Sequence, residues 1–260
     1  MTSNNKNVPR LGVNIDHVAT LRQARGENYP SLIQAANTCL ASGADQLTIH
    51  LREDRRHIQD TDVEAVQLVT KKYGKPLNLE IGCNPSIVEI ALTVAPDWIC
   101  VVPENRQERT TEGGLNLLDQ ENFDKVLGVC HKLKSNLPNT KISLFLEADE
   151  KIIEKALELK NAIDAVEIHT GDYAKNFLDG NEISHFMKAY DRAAKILRNN
   201  NIHCHAGHGL TNESVIPLLQ SGLFEEYNIG HWIISEALFE GLGNVVKKMK
   251  KSFVDVSGEK

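Results

Sequence analysis

The 260-residue chain is predicted to fold as one α/β domain, a single (β/α)8 TIM barrel, on three observations. Eight short apolar runs alternate with segments of helical periodicity. One such barrel takes about 250 residues, so it nearly fills the chain. Ionisable residues recur at the C-terminal ends of the apolar runs, where barrel enzymes gather their chemistry.

Strands are expected at 11–16, 46–51, 76–82, 98–103, 141–147, 165–170, 203–207 and 226–230, each an apolar run bounded by turn residues. The clearest helical segments are 31–42, 61–73, 120–135, 149–160, 182–200 and 232–251, with apolar residues three and four apart. Asp60-Thr61-Asp62 and Asp149 read as N-terminal caps, and Lys247, Lys248, Lys250 and Lys251 gather where a last helix would end. The alternation implies parallel strands joined by right-handed crossovers, and eight units imply closure. An open doubly wound sheet is the alternative, but its G-x-G-x-x-G turn is missing, and strand one runs into Asp16-His17 instead.

No linker or low-complexity tract divides the chain. It is read as a polar leader (1–10), a barrel (11–252) and a polar tail (253–260). Two long loops, Glu104 to Asp119 and Gly171 to Gly180, follow strand ends, where binding loops and lids belong.

The net charge of −6 is spread without long single-sign blocks, so no basic stripe exists for nucleic acid. There is no run of 18 apolar residues, and the first ten residues are polar, so neither membrane nor signal peptide is expected and the cytoplasm is. The five cysteines (Cys39, Cys83, Cys100, Cys130, Cys204) lack Cys-x-x-Cys spacing and are read as reduced. His131 and His185 fall in helices and are read as solvated; His203 and His205 share a strand face but lack an evident third metal ligand.

Residues two apart on a strand share a face, and both faces of a barrel strand are dry. Yet Asn14/Asp16, Thr48/His50, Asn78/Glu80 and Glu167/His169 are polar pairs at that spacing, and strands seven and eight end in His208 and in Gly230-His231. Unpaired Asp, Glu and His are costly to bury, so their convergence on one barrel end fits an active site better than a packed core. Gly207, Gly209 and Gly230 let backbone N–H groups approach an anion, and Arg52, Arg55, Arg56 and His57, with Arg22 and Arg25, offer a second anionic site. Two phosphate sites flanking His50, Glu80 and His208 point to proton transfers on two phosphorylated substrates or one bisphosphate.

The strings LGVNIDHVATLRQARG (11–26), TIHLREDRRHI (48–58), NLEIG (78–82), VPENRQERTTEGGL (102–115), EIHTGDYA (167–174), AGHGLT (206–211) and NIGH (228–231) closely resemble the pyridoxine 5′-phosphate synthase family. The resemblance implies a (β/α)8 barrel with additional helices, a transferase joining 3-amino-2-oxopropyl phosphate to 1-deoxy-D-xylulose 5-phosphate, and a homo-oligomer, an octamer built from dimers. It implies acid/base roles for His50, Glu80 and His208. Contacts to the aminoketone phosphate fall on Asn14, Arg25, Gly209, Gly230 and His231, and contacts to the sugar phosphate on Asp16, His17, Arg52, His57 and Thr110. The loop at 110–114 and the loop after strand two are expected to enclose substrate. No metal and no organic cofactor is expected.

The chain departs from the family pattern in its leader, in Gly82-Cys83-Asn84 after Glu80, and in His205, which stands near the expected phosphate site in place of asparagine. The rival readings are a metal-dependent barrel hydrolase, prompted by ten histidines, and a non-catalytic sensor of phosphorylated ligands.

Overall fold

The structure is a computed structural model that describes residues 8–104, 108 and 113–258. Eight parallel strands close into a barrel in chain order: β1 (Arg10–Asn14), β2 (Gln46–Leu51), β3 (Leu77–Ile81), β4 (Trp98–Val101), β5 (Lys141–Leu146), β6 (Ala165–His169), β7 (His203–Gly207) and β8 (Glu226–Ile229). Closure is made by β1 against β8, with Leu11 opposite Tyr227 and Gly12 opposite Asn228. The helices are α1 (Asp16–Gln23), α2 (Leu32–Ala41), α3 (Asp60–Tyr73), α4 (Pro85–Val94), α5 (Gln120–Asn136), α6 (Glu150–Ala156), α7 (Gly171–Leu178), α8 (Ser184–Asn199), α9 (Val215–Ser221), α10 (His231–Glu240) and α11 (Leu242–Gly258).

Helix starts follow local chemistry. The Asp149 carboxylate accepts from the N–H groups of Lys151 and Ile152, and Asp62 reaches back to the Gln59 N–H at 2.8 Å, satisfying donors that the first turn leaves unpaired. Asn84 caps α4, and Pro85 opens it, at the position where its missing N–H costs nothing.

Three expectations are corrected. The 171–180 loop is largely α7, because Tyr173 and Ala174 bury against the body of the protein and Ala174 N–H closes the first turn on Thr170. The single helix expected over 232–251 is two, broken at Gly241, whose φ of 80° lies outside the helical region. The second of these, α11, runs on to Gly258 with Phe253 fully buried, so the segment read as a polar tail is helical core through that point, and the lysines at 247–251 sit mid-helix.

Alternate strand residues divide cleanly. Leu47, Ile49 and Leu51 in β2, Leu77, Leu79 and Ile81 in β3, and Ile142, Leu144 and Leu146 in β5 are fully buried in the apolar core. Their neighbours fill the barrel interior with hydrogen-bonded polar groups. Gln46 Nε2 donates to Glu226 at 2.8 Å, Thr48 Oγ1 to Asn228 Oδ1 at 2.8 Å, and Asn228 Nδ2 to Glu167 at 2.7 Å, while Arg10 pairs with Glu226 at 2.8 Å. The β2 to β8 bonds pass over β1 at Gly12, where a Cβ would stand 2.1 Å from Asn228 Oδ1. Of the polar pairs in the sequence, Thr48, Asn78 and Glu167 are thus interior residues bonded across the barrel.

Candidate active site

A cavity of about 550 Å³ opens at the C-terminal ends of the strands, lined by Asn14, Asp16, His17, His50, Arg52, Glu80, His208, Gly209, Gly230 and His231 among others. Groups far apart in sequence meet there because parallel pairing aligns strand ends: His50 stands opposite Glu80 in the β2/β3 register. Asp16 and His17 arrive differently from expectation. The strand expected over 11–16 stops at Asn14, so Asp16 and His17 belong to the first turn of α1, and both line the cavity.

Asp16 is locked by reciprocal bonds. Its N–H donates to Asn14 Oδ1 at 2.9 Å, Asn14 Nδ2 donates to Asp16 Oδ2 at 2.8 Å, and its Oδ1 accepts the His50 backbone N–H at 2.9 Å. Burial pushes its carboxyl up to about 6 against the lowering pull of His50, Asn14 and Arg52. Burial also raises Glu80 well above the ordinary carboxylate range, and the Glu167 and Asp16 carboxylates add to it. Such a group can take a proton near neutral pH and give it back.

His208 sits at a φ of 78°, a left-handed conformation uncommon for a side chain of this size. Thr170 Oγ1 pins that turn by donating to the Gly207 and His208 carbonyls, each at 2.7 Å, and Gly209 continues it at a φ of 76°. Strain held by surrounding bonds is typical of a functional position. Burial lowers the imidazole to about 4, with His169, His17 and His231 acting in the same direction. Near neutral pH the ring is therefore uncharged.

The two expected anion sites fare differently. Gly230 is the N-cap of α10, so the β8 turn does present a helix N-terminus, whereas Gly209 lies in a turn ahead of α9. Of the five arginines after β1 and β2, Arg52 lines the cavity. Arg22 is engaged by Asp62 at 2.7 Å and by the His57 carbonyl, Arg55 pairs with Asp60, and Arg56 with Asp54. Arg25 is exposed and is not among the cavity-lining residues. His57 stands behind the lining, its ring 6.1 Å from that of His50, and burial lowers it to about 4 with help from the His50 and Arg52 charges. Thr110 lies outside the described residues.

His205 is not near the cavity mouth. It is buried toward the opposite end of the barrel, edge-on to Trp98 at 5.2 Å and facing Glu226 at 3.6 Å, while His203 is exposed and pairs with Glu225. Their role is structural. Among the described residues no group of three His, Cys, Asp or Glu side chains is placed to hold a metal ion.

Sequence reasoning missed several site groups. The Glu167/His169 pair lines the cavity as the strand spacing implied, but Phe145 and Asn228 line it too, and Glu147 accepts from His169 Nδ1 at 2.8 Å and from the Gly114 N–H at 2.9 Å. Glu104 lies 3.4 Å from His50 Nε2. Glu147 and Glu104 follow β5 and β4 by one to three residues, outside the strand alternation that exposed the others.

A closed parallel barrel with titratable groups converging on its C-terminal mouth defines the class: a (β/α)8-barrel enzyme. Residues 11–255 match the family model described as pyridoxal phosphate biosynthesis protein PdxJ, and the chain belongs to that family. It is 42% identical to pyridoxine 5′-phosphate synthase of Wolbachia pipientis subsp. Culex pipiens, over 93% of this chain and 97% of that one. It is 44% identical to the same-named protein of Zymomonas mobilis, over 93% and 90% of the two chains. Among solved structures, thiamine phosphate pyrophosphorylase from Pyrococcus furiosus superposes with a TM-score of 0.59 at 14% identity, covering 97% and 99% of the two chains. Tryptophan synthase from Mycobacterium tuberculosis superposes at 0.62 with 12% identity, covering 96% and 93%. These two likenesses show the shared barrel and no more.

Proposed function

We propose that the chain is a transferase that condenses 3-amino-2-oxopropyl phosphate with 1-deoxy-D-xylulose 5-phosphate, giving pyridoxine 5′-phosphate, phosphate and water. The observation that carries this reading is the gathering of His50, Glu80 and His208 on one cavity in a chain of the PdxJ family. The amine of one substrate attacks the ketone of the other and forms an imine with loss of water. Glu80, its carboxyl raised by burial, takes a carbon-bound proton, and loss of phosphate follows. Burial keeps His208 uncharged near neutral pH, so it acts as an acid only once a phosphate dianion beside it favours the imidazolium; the proton arrives with the substrate. His50 serves the later transfers during water addition and ring closure. Aromatisation makes the last water loss downhill, so the protein's task is orientation and proton timing.

Gly230 and His231 at the α10 N-terminus, with Asn14 and Gly209, are assigned to the aminoketone phosphate; Asp16, His17 and Arg52 are assigned to the sugar phosphate. His57 reaches the sugar phosphate only through movement of its loop, and Arg25 likewise needs the α1 turn to fold inward. Thr110 keeps its assignment by family pattern. This reading includes no metal or organic cofactor. Assembly into a homo-oligomer is supported by the large apolar side chains that α10 leaves outside, Leu238 at 68% and Phe239 at 86% exposure. Among the described residues no helix is long and apolar enough to cross a membrane, and acting on two charged metabolites suits the cytoplasm.

Mixing the two phosphorylated substrates with the purified protein is the test. Pyridoxine absorbance and equimolar phosphate are expected, with turnover reduced at least about a hundredfold by Glu80→Gln. Absence of product from the wild type would overturn the assignment, and undiminished turnover in the variant would remove Glu80 from it. Stoichiometric zinc with activity lost to a chelator would instead favour the hydrolase reading.

A further inference from the structure

Behind the cavity wall the His50 ring meets a carboxylate that is not part of the lining. His50 Nε2 lies 3.4 Å from Glu104 Oε1, within ion-pair distance but short of hydrogen-bond geometry, and each atom is buried with no hydrogen-bond partner, so each is the other's nearest complement. The second ring nitrogen, Nδ1, faces Glu80 Oε2 at 3.9 Å, beyond hydrogen-bond reach. The other charged groups around His50 bear on it differently: Asp16 of α1 accepts its backbone N–H, Arg52 lies on its own loop, and the His57 ring stands at 6.1 Å.

Glu104 is held from several sides. Its Oε2 accepts the Glu53 N–H at 3.0 Å, and its own N–H donates to Glu108 Oε2 at 2.9 Å. Gly82 leaves room for it, since a Cβ there would stand 2.9 Å from both Cγ and Cδ of Glu104. Burial alone pushes the Glu104 carboxyl up, but the nearby His50 ring and the Glu53 N–H, with the Arg52 charge, leave it below its ordinary value and therefore ionised.

We infer that Glu104 is a positioning residue for His50: its carboxylate fixes the imidazole as the Nε2–H tautomer and leaves Nδ1 as the basic nitrogen, turned toward Glu80. An acid/base imidazole whose far nitrogen is held by a carboxylate cannot flip or change tautomer between proton transfers. Because Glu104 also binds Glu53, the same contact ties the loop after β2 to the loop after β4. The Gly82-Cys83-Asn84 departure then has a physical meaning: glycine at 82 is what admits the carboxylate. The inference rests on the proposed acid/base role of His50, but the contact itself does not.

The test begins without substrate. In protein labelled with 15N-histidine, with His50 identified by the signals lost in His50→Gln, the neutral ring is expected with Nε2 protonated and Nδ1 bare. Glu104→Ala is expected to mix the two tautomers and lower kcat by at least about tenfold with a smaller change in KM. Glu104→Gln keeps an acceptor at the same place and is expected to restore the wild-type tautomer and most of kcat. A wild-type ring protonated on Nδ1 would overturn the inference, even if the Ala variant fails to fold. So would a tautomer signal unchanged in Glu104→Ala, or a Glu104→Gln variant that mixes the tautomers as fully as Glu104→Ala does. The nitrogen spectra need no turnover, so their outcome is separable from that of the substrate assay.

Discussion

Carboxyl groups cost most where water is scarcest, and this barrel draws three of them, Asp16, Glu80 and Glu167, away from water with no lysine or arginine in salt-bridge contact among the described residues. All three are raised above their ordinary values, chiefly by burial, so the folded protein keeps protons that the unfolded chain has already released. The sign follows from linkage. Below about pH 4 both states are protonated and these groups contribute nothing, whereas stability falls as pH climbs through the Asp16 value of about 6. Glu167→Gln keeps an acceptor for Asn228 and removes one such group. Urea melts between about pH 4 and pH 8 are therefore expected to show a flatter decline for the variant, with the two proteins converging at the acidic end. A wild type whose stability rises over that range would contradict the raised carboxyls. At this scale the sequence was informative wherever a polar residue interrupted strand alternation, as at His50, Glu80 and Glu167. It was silent about Glu104 and Glu147, whose meaning depends on which side chain the chain brings opposite them. It was misleading about Arg22, whose guanidinium is taken by Asp62.

Elements place these groups by register and by turn. The β1 strand is thin at Gly12 so that Thr48 and Asn228 can bond over it. Gly12→Ala is expected to break that contact and cost about 1 to 3 kcal/mol of unfolding free energy, measurable by denaturant titration. The turn after β7 has the opposite requirement, a left-handed backbone at both His208 and Gly209. Thr170→Val removes the hydroxyl that pins both carbonyls, and a kcat loss larger than any KM change is expected, read by steady-state kinetics. Strand positions were legible because each is an apolar run bounded by turn residues. Helix ends were less so: α7 looked like a loop because Gly171 and Asp172 resemble turn residues, and the break at Gly241 was hidden inside a continuous helical pattern.

The whole molecule settles what neither scale can. Phe253 lies in a segment that composition marks as a polar tail, yet it is fully buried, its ring 5.4 Å from that of Tyr227 on β8. Phe253→Ala is expected to destabilise by about 3 to 5 kcal/mol, detectable as a lower thermal midpoint, because the cavity left behind lies against the barrel-closing strand. An unshifted midpoint would return that segment to the periphery. The amino-acid order by itself determined the eight-fold alternation, the end of the barrel that carries chemistry, and three of the side chains proposed to perform it, because periodicity and the cost of burying charge are local properties. Tertiary structure alone decided that His205 serves the barrel base, that Arg25 stands outside the cavity, and that Glu104 backs His50. Those outcomes depend on distances between residues remote in the chain, which no local pattern encodes.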